Sequence, residues 1–162
     1  MSDWIAKPVA LDDVIALRHR VLRAPAPVET AHFDGDDHPS SHHVAVIAQE
    51  TILGVGSVIP EPLPGSAADR HLRIRGMAVA PERRGEGIGS AVLDALLAHA
   101  RAVESHLVWC RARMPALSLY LRAGFEAVSD VYESGDLGPH VTMRWTPSPA
   151  PIDCETIIDP TP

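Results

Sequence analysis

The stretch APERRGEGIGSAVL, residues 80–93, sets three glycines, Gly85, Gly87 and Gly89, and two arginines, Arg83 and Arg84, directly before a long apolar segment. A helix start ordinarily needs one capping residue, and a run of flexible residues costs entropy to order. Glycines are explained there if something must approach the backbone closely, and the arginines indicate that it carries negative charge. The first N–H groups of a helix have no internal partner and sit at the positive end of its dipole, so phosphate oxygens can occupy them. Arg83 or Arg84 would add charge-assisted contacts. A plain flexible helix entry would need fewer glycines than these.

Outward from this turn the chain reads as alternating strands and helices. Residues 87–103 carry Ile88, Val92, Leu96 and Ala100 at four-residue spacing, which predicts the strongest helix of the chain. Before the turn, HLRIRGMAV (71–79) alternates Leu72 and Ile74 with Arg73 and Arg75, a strand closed by Pro81. DWIAKPV is a short strand and LDDVIALRHRVL (11–22) an amphipathic helix, ended by Pro25 and Pro27. HVAVIAQ and ILGVGSVI, with a turn at about Gln49–Thr51, predict a hairpin. Residues 60–70 carry three prolines and read as a loop. After the long helix come a strand at HLVWCRAR and a short helix at PALSLYLRAG, with Pro115 in its first turn and Gly124 as its stop. FEAVSDVYE and HVTMRW are two further strands joined by SGDLGP. The order predicts an α+β domain over residues 1–146, and residues 147–162 read as a Pro-rich tail.

Composition narrows the function classes. The chain has 162 residues, 46% of them hydrophobic and 22% charged, which fits one soluble globular domain with a core of its own. A net charge of −7 argues against nucleic-acid binding. No apolar run is long enough to span a membrane, and MSDWIAKPVA has neither the basic nor the apolar region of a secretory signal. Cys110 in a strand and Cys154 in the tail make no disulfide framework, so a cytoplasmic protein with reduced thiols is expected. Cys110, without a paired base, reads as a buried structural thiol rather than a nucleophile.

Three kinds of phosphate-binding turn compete for RGEGIG. A P-loop requires Gly-Lys-Ser/Thr, and the single lysine is Lys7. A dinucleotide turn requires G-x-G-x-x-G in the first βα unit, whereas these glycines run G-x-G-x-G halfway along the chain. The third kind fits. RGEGIG (84–89) resembles R/Q-x-x-G-x-G/A, the pyrophosphate signature of the GNAT superfamily of acyl-CoA-dependent N-acetyltransferases. LRIRGMAVAPERRG resembles that family's central strand and V-x-P-x-x-R-G segment, and ALSLYLRAGFE (116–126) resembles its aromatic-Tyr-x-x-x-Gly-Phe motif, with Leu119 where an aromatic residue is common. The resemblance covers about residues 4–145. It is nearest to small bacterial-type members with LRGM, WC-x-AR and GPH segments, matched here by IRGM, WCRAR and GPH (138–140).

The resemblance implies a mixed, largely antiparallel sheet of six to seven strands flanked by helices, splayed between strands 71–79 and 106–113. It implies acetyl-CoA as cosubstrate and an amine as acceptor. Main-chain groups of Met77, Ala78 and Val79 would meet the pantetheine, the Val79 N–H polarising the thioester carbonyl. Arg84, Gly85, Glu86, Gly87, Ile88, Gly89 and Ser90 would cradle the pyrophosphate. Tyr120 falls where the family's tyrosine protonates the coenzyme sulfur. The base stays open between His140, Glu126 and a water chain.

The loop HFDGDDHPSSHH raises two further questions. Its histidines and carboxylates are ordinary metal ligands, but neither H-E-x-x-H nor D-x-D-x-D-G occurs, and no metal is expected. Asp34, Asp36 and Asp37 would favour a cationic acceptor if the loop walls the acceptor cleft, while Arg18 and Arg23 would favour an anionic one. Both polarities remain open at this stage, as does a binding module that holds acyl-CoA without turnover. An exposed last strand and apolar tail residues leave monomer and homodimer open.

Overall fold

The computed structural model describes residues 2–67 and 69–147; the tail from 148 onward, with Ile152, Cys154, Ile157 and Ile158, lies outside the described residues. Eight strands form one sheet: β1 (Ile5–Val9), β2 (His42–Ala48), β3 (Thr51–Pro60), β4 (His71–Val79), β5 (Leu107–Arg113), β6 (Glu126–Ala127), β7 (Tyr132–Glu133) and β8 (Pro139–Trp145). The helices are α1 (Leu11–Leu22), α2 (Ile88–Ala102) and α3 (Leu117–Arg122). Sheet order is β1-β2-β3-β4-β5-β8-β6, with β7 also on β8. All pairings are antiparallel except β4–β5. The α+β class and the mixed sheet are as expected from the sequence.

Two expectations need correction. The predicted strand at FEAVSDVYE is two two-residue pieces on the same side of β8, which raises the count to eight. Between them Val128 N–H still donates to Thr142 O at 2.9 Å, but the Thr142 N–H donates to a side chain, Ser129 Oγ, at 2.9 Å. The last strand, expected to be exposed, is interior: β8 runs between β5 on one side and β6 and β7 on the other.

The sheet has a helix on each face. α2 buries Ile88, Val92, Leu93, Leu96, Leu97 and Ala100, a stripe at helical spacing, against Val44, Val46, Val58, Leu72 and Ile74. α1 buries Val14, Ile15 and Leu17 against Ala45, Val55 and Ala78 on the opposite face. The β2–β3 hairpin turns at Gln49 and Glu50, both with positive φ, a pairing suited to the twist of a two-residue hairpin loop.

One irregularity in β4 positions the site. Val55 pairs with Ala78 and Ser57 with Arg75, so Gly56 on β3 faces two residues, Gly76 and Met77, on β4. This bulge shifts the side-chain alternation by one. Arg75 before it and Ala78 after it therefore share the α1 face, while Met77 and Val79 pack on the α2 side. Gly76 has φ +67°, and a Cβ there would stand 2.5 Å from Nε of Arg18. Glycine is required both by the backbone and by the arginine beneath it.

Candidate active site

β4 and β5 pair in parallel over only three residues, His71 with Leu107, Leu72 with Val108 and Arg73 with Trp109. Beyond them the strands diverge, and β5 turns its other edge to β8 as far as Arg113–His140. The gap is the expected splay. It exposes main-chain groups of β4: Ala80 N–H donates to Leu53 O at 2.8 Å, on the β3 side. Backbone groups alternate along a strand, so the Val79 N–H turns the other way, into the gap.

One end of the gap is a groove of about 660 Å³ that runs from β4 to the start of α2. Met77, Ala78, Val79, Arg84, Gly85, Gly87, Ile88, Gly89 and Ser90 all line it. Gly85 and Gly87 both have φ +82°, and a Cβ on either would meet nothing within 4 Å, so the turn opens onto free space. The first α2 bond runs from Ala91 N–H to Gly87 O at 3.0 Å, which leaves the N–H groups of Ile88, Gly89 and Ser90 beyond the reach of the helix's own carbonyls. Arg84 has no acidic partner among the described residues. Arg83 is instead tied to Asp3 at 3.0 Å and Glu86 at 2.6 Å. Glu86 is the turn residue outside the groove lining. Unpaired amides, an uncommitted guanidinium and room for backbone approach suit a diphosphate, so the residues present fit coenzyme A.

A second pocket of about 190 Å³ opens from the same gap, and Tyr120 lines both. Tyr120 is buried, edge-on to Phe125 with ring centroids 5.3 Å apart. Burial, with the adjoining Cys110 thiol, raises its pKa well above the ordinary phenol value and keeps the hydroxyl protonated. Cys110, 1% exposed, is pushed up to about 12, chiefly by burial, and is an inert thiol.

His140, at the start of β8, lines the second pocket and is 4% exposed. Its Nδ1 is 2.8 Å from Gly138 O. A carbonyl only accepts, so Nδ1 carries a hydrogen, and Nε2 is the ring nitrogen left to exchange a proton. Glu126, the other side chain considered as base, is on β6, exposed and bound to Arg144 at 2.7 Å.

The acidic loop departs from its expected role. Asp36 is buried and holds Arg18 through two contacts, Oδ2 to Nη1 at 2.6 Å and Oδ1 to Nη2 at 3.3 Å. Its Oδ2 also accepts the Phe33 N–H at 2.7 Å. Arg18, fully buried on α1, donates further to Ala31 O and Ser57 Oγ. Asp34 and Asp37 are exposed and line neither pocket. The histidines of the loop are dispersed: His42 stacks on His99 of α2 at 3.7 Å, and His43 is buried with Nδ1 2.6 Å from Ser57 Oγ. Among the described residues no group of three His, Cys, Asp or Glu side chains is arranged to hold a metal ion.

The second pocket joins Arg23, already noted as a possible anion contact, to four arginines that sequence reasoning passed over. Arg23, Arg73, Arg75, Arg111 and Arg113 line it together with Phe33, and among the residues whose side chains are described no Asp or Glu does. The signal was present as arginines at alternate positions in LRIRGM and WCRAR, but only the splay shows that the two pairs face one cavity.

Comparison with known proteins agrees with this geometry. An uncharacterized N-acetyltransferase, YitI of Bacillus subtilis, is 28% identical over 144 residues, covering 86% of this chain and 94% of its own. The crystal structure of Escherichia coli ElaA superposes with a TM-score of 0.70 at 17% identity, covering 87% of this chain and 98% of that one. An aminoglycoside 6'-N-acetyltransferase complexed with coenzyme A gives a TM-score of 0.70 at 14% identity, covering 90% of this chain and 99% of that one. The sequence model of the acetyltransferase (GNAT) family matches residues 11–125, from the start of α1 through the glycine turn to Phe125. The splayed sheet, the turn before α2 and this match lead to one conclusion: the chain belongs to the GNAT family of acetyltransferases.

Proposed function

We propose that this protein transfers an acetyl group from acetyl-CoA to a primary amine of a small molecule or peptide, by direct transfer within the β4–β5 gap. The observation that carries the reading is a pair of adjoining pockets, one at the glycine turn, with Met77, Arg113 and Tyr120 lining both.

Acetyl-CoA, when bound, supplies an acyl group activated as a thioester. Arg84, the turn amides from Gly85 to Ser90 and the edge of β4 at Met77–Val79 hold it in the groove, with Glu86 contributing only its amide. The Val79 N–H, a fixed dipole in a partly buried gap, lowers the cost of negative charge on the acyl oxygen. The Tyr120 hydroxyl holds the proton that the departing sulfur needs, and His140 Nε2 takes one from the acceptor amine. Asp34, Asp36 and Asp37 are given no part in acceptor binding.

The test is an acetyl-CoA thiol-release screen across antibiotic, polyamine, amino-acid and peptide amines, run with the Tyr120→Phe variant alongside. Turnover by the parent protein and its loss in the variant, with coenzyme A binding retained, supports the assignment. Coenzyme A binding without thiol release from any amine would make the domain a binding module instead.

A further inference from the structure

We propose that the acceptor amine also carries an anionic oxygen group, a carboxylate or a phosphate, and that Arg75, Arg111 and Arg113 hold it in the pocket beyond Tyr120. This deepens the acetyl-transfer reading and rests on it.

The argument begins with charge. Five of the chain's thirteen arginines line a pocket of about 190 Å³, although acidic residues outnumber basic ones 21 to 14 over the whole chain. Arg73 is compensated by Glu61 at 2.8 Å. Arg23, Arg75, Arg111 and Arg113 have no carboxylate partner among the described residues. The nearest buried carboxylate, Asp36, is already committed to Arg18. Guanidinium groups held close together, some half-buried, repel one another and lose hydration. A bound oxyanion offsets both costs, and the planar fork of arginine matches its geometry.

The arginines are also held in place. The Phe33 ring, itself part of the pocket lining, packs against the guanidinium carbons of Arg23 at 5.0 Å and Arg75 at 4.5 Å. Arg111 stands on the Trp109 ring at 6.0 Å, and the Trp109 indole N–H is fixed to Glu61 O at 2.8 Å. Nε of Arg23 is buried without a partner. Burial and the charge of Arg73 pull the Arg75 pKa below its ordinary value, and the carboxylates of Glu61 and Asp36 offset this only in part. Arg113 lines both the pocket and the coenzyme groove, so an anion held there lies beside Tyr120 and His140, where the amine must be.

The test pairs each acceptor with an analogue that lacks the anionic charge: glycine, serine and glutamate against their near-isosteric carboxamides, and phosphoethanolamine against ethanolamine, which lacks the phosphoryl group. The amine of an amino-acid amide is the more easily deprotonated, so a preference for the free acid cannot arise from amine reactivity. The free acids or the phosphate ester are expected to show roughly tenfold or higher kcat/KM, and which series responds separates carboxylate from phosphate. An independent readout is calorimetry of N-acetylglycine against N-acetylglycinamide, and of N-acetylphosphoethanolamine against N-acetylethanolamine, on the full chain saturated with coenzyme A. The anionic partner is expected to bind roughly tenfold tighter. Arg75→Gln and Arg111→Gln are expected to remove most of that difference while leaving coenzyme A affinity unchanged, which also reports that the variants fold.

Equal behaviour of anionic and neutral partners in both assays, including none for either, overturns the proposal. So does a preference for cationic amines, or discrimination that survives both substitutions. Anion-selective product binding with no thiol release from any amine supports the arginine site and rejects the catalytic reading. Thiol release without discrimination does the reverse.

Discussion

The two ends of the β4–β5 gap present hydrogen-bond donors and positive charge by different means. At the α2 end the donors are backbone amides of consecutive residues, with Arg84 beside them, and one hexapeptide contains nearly all of it. At the Tyr120 end the donors are side chains drawn from the end of α1, from β4 and from β5, over a phenylalanine in the 32–41 loop. A main-chain site is indifferent to what lies further along the molecule. A side-chain site exists only when distant segments have been brought together. The first kind suits a constant group such as a diphosphate, and the second can be altered residue by residue to suit a particular acceptor.

This contrast can be broken at the junction of the two ends. Tyr120→Phe is expected to lower kcat by about 10²- to 10⁴-fold, the usual range for a positioned acid. Coenzyme A affinity, measured by calorimetry, should change little, because the ring still fills its place against Phe125. Full activity in the variant would leave the junction without chemistry.

The arginine end is sharpened by removing its buried support. Asp36→Ala leaves the fully buried Arg18 uncompensated and frees the Phe33 amide, so unfolding free energy should fall by about 3–5 kcal/mol in urea titrations. Asp34→Asn and Asp37→Asn, both at exposed positions, should alter stability by less than about 0.5 kcal/mol. A similar cost at all three positions would mean that the Arg18–Asp36 pair does not organise the loop.

At the other end, Gly87→Val places a branched side chain at φ +82° on a residue that lines the groove, so the turn must distort. Coenzyme A affinity is expected to fall by about tenfold or more, while the ratio of product carboxylate to carboxamide binding stays as in the parent. Loss of both together would show that the two ends are one cooperative unit.

The smallest expected effect lies away from the gap. Burial lowers the pKa of both stacked histidines, His42 and His99, below 6.5. The unfolded chain then binds protons that the folded one does not. This pair therefore contributes stability fully above about pH 6.5, and loses it as pH falls through the folded values. Melting temperature should decline on acidification, and the decline should be shallower in His99→Gln.

Legibility in the sequence followed the same division. The β2–β3 hairpin, α2 and the glycine turn are each specified within about fifteen residues, by alternation, by the four-residue apolar spacing or by glycines. The α+β class and the family resemblance followed from those segments. The single-residue shift at Gly76–Met77 was hidden, because strict alternation through LRIRGMAV predicts one face where the bulge makes two. Asp36, grouped with Asp34 and Asp37 as an acceptor-side carboxylate, was opaque for a related reason: its partner is Arg18 on a different element, 18 residues earlier. The break between β6 and β7 depends on Ser129 replacing a ladder bond to Thr142, a contact that no local pattern announces. The arginines of the second pocket were visible as two alternating pairs, yet they become a site only because β4 and β5 part after Trp109.

The most direct test of the account is a calorimetric titration of coenzyme A into the full chain and into Gly87→Val. Saturable one-to-one binding by the parent, weakened in the variant, is the predicted result. No binding by a correctly folded parent, or the same affinity in both proteins, would contradict the claim that the amides before α2 hold the diphosphate.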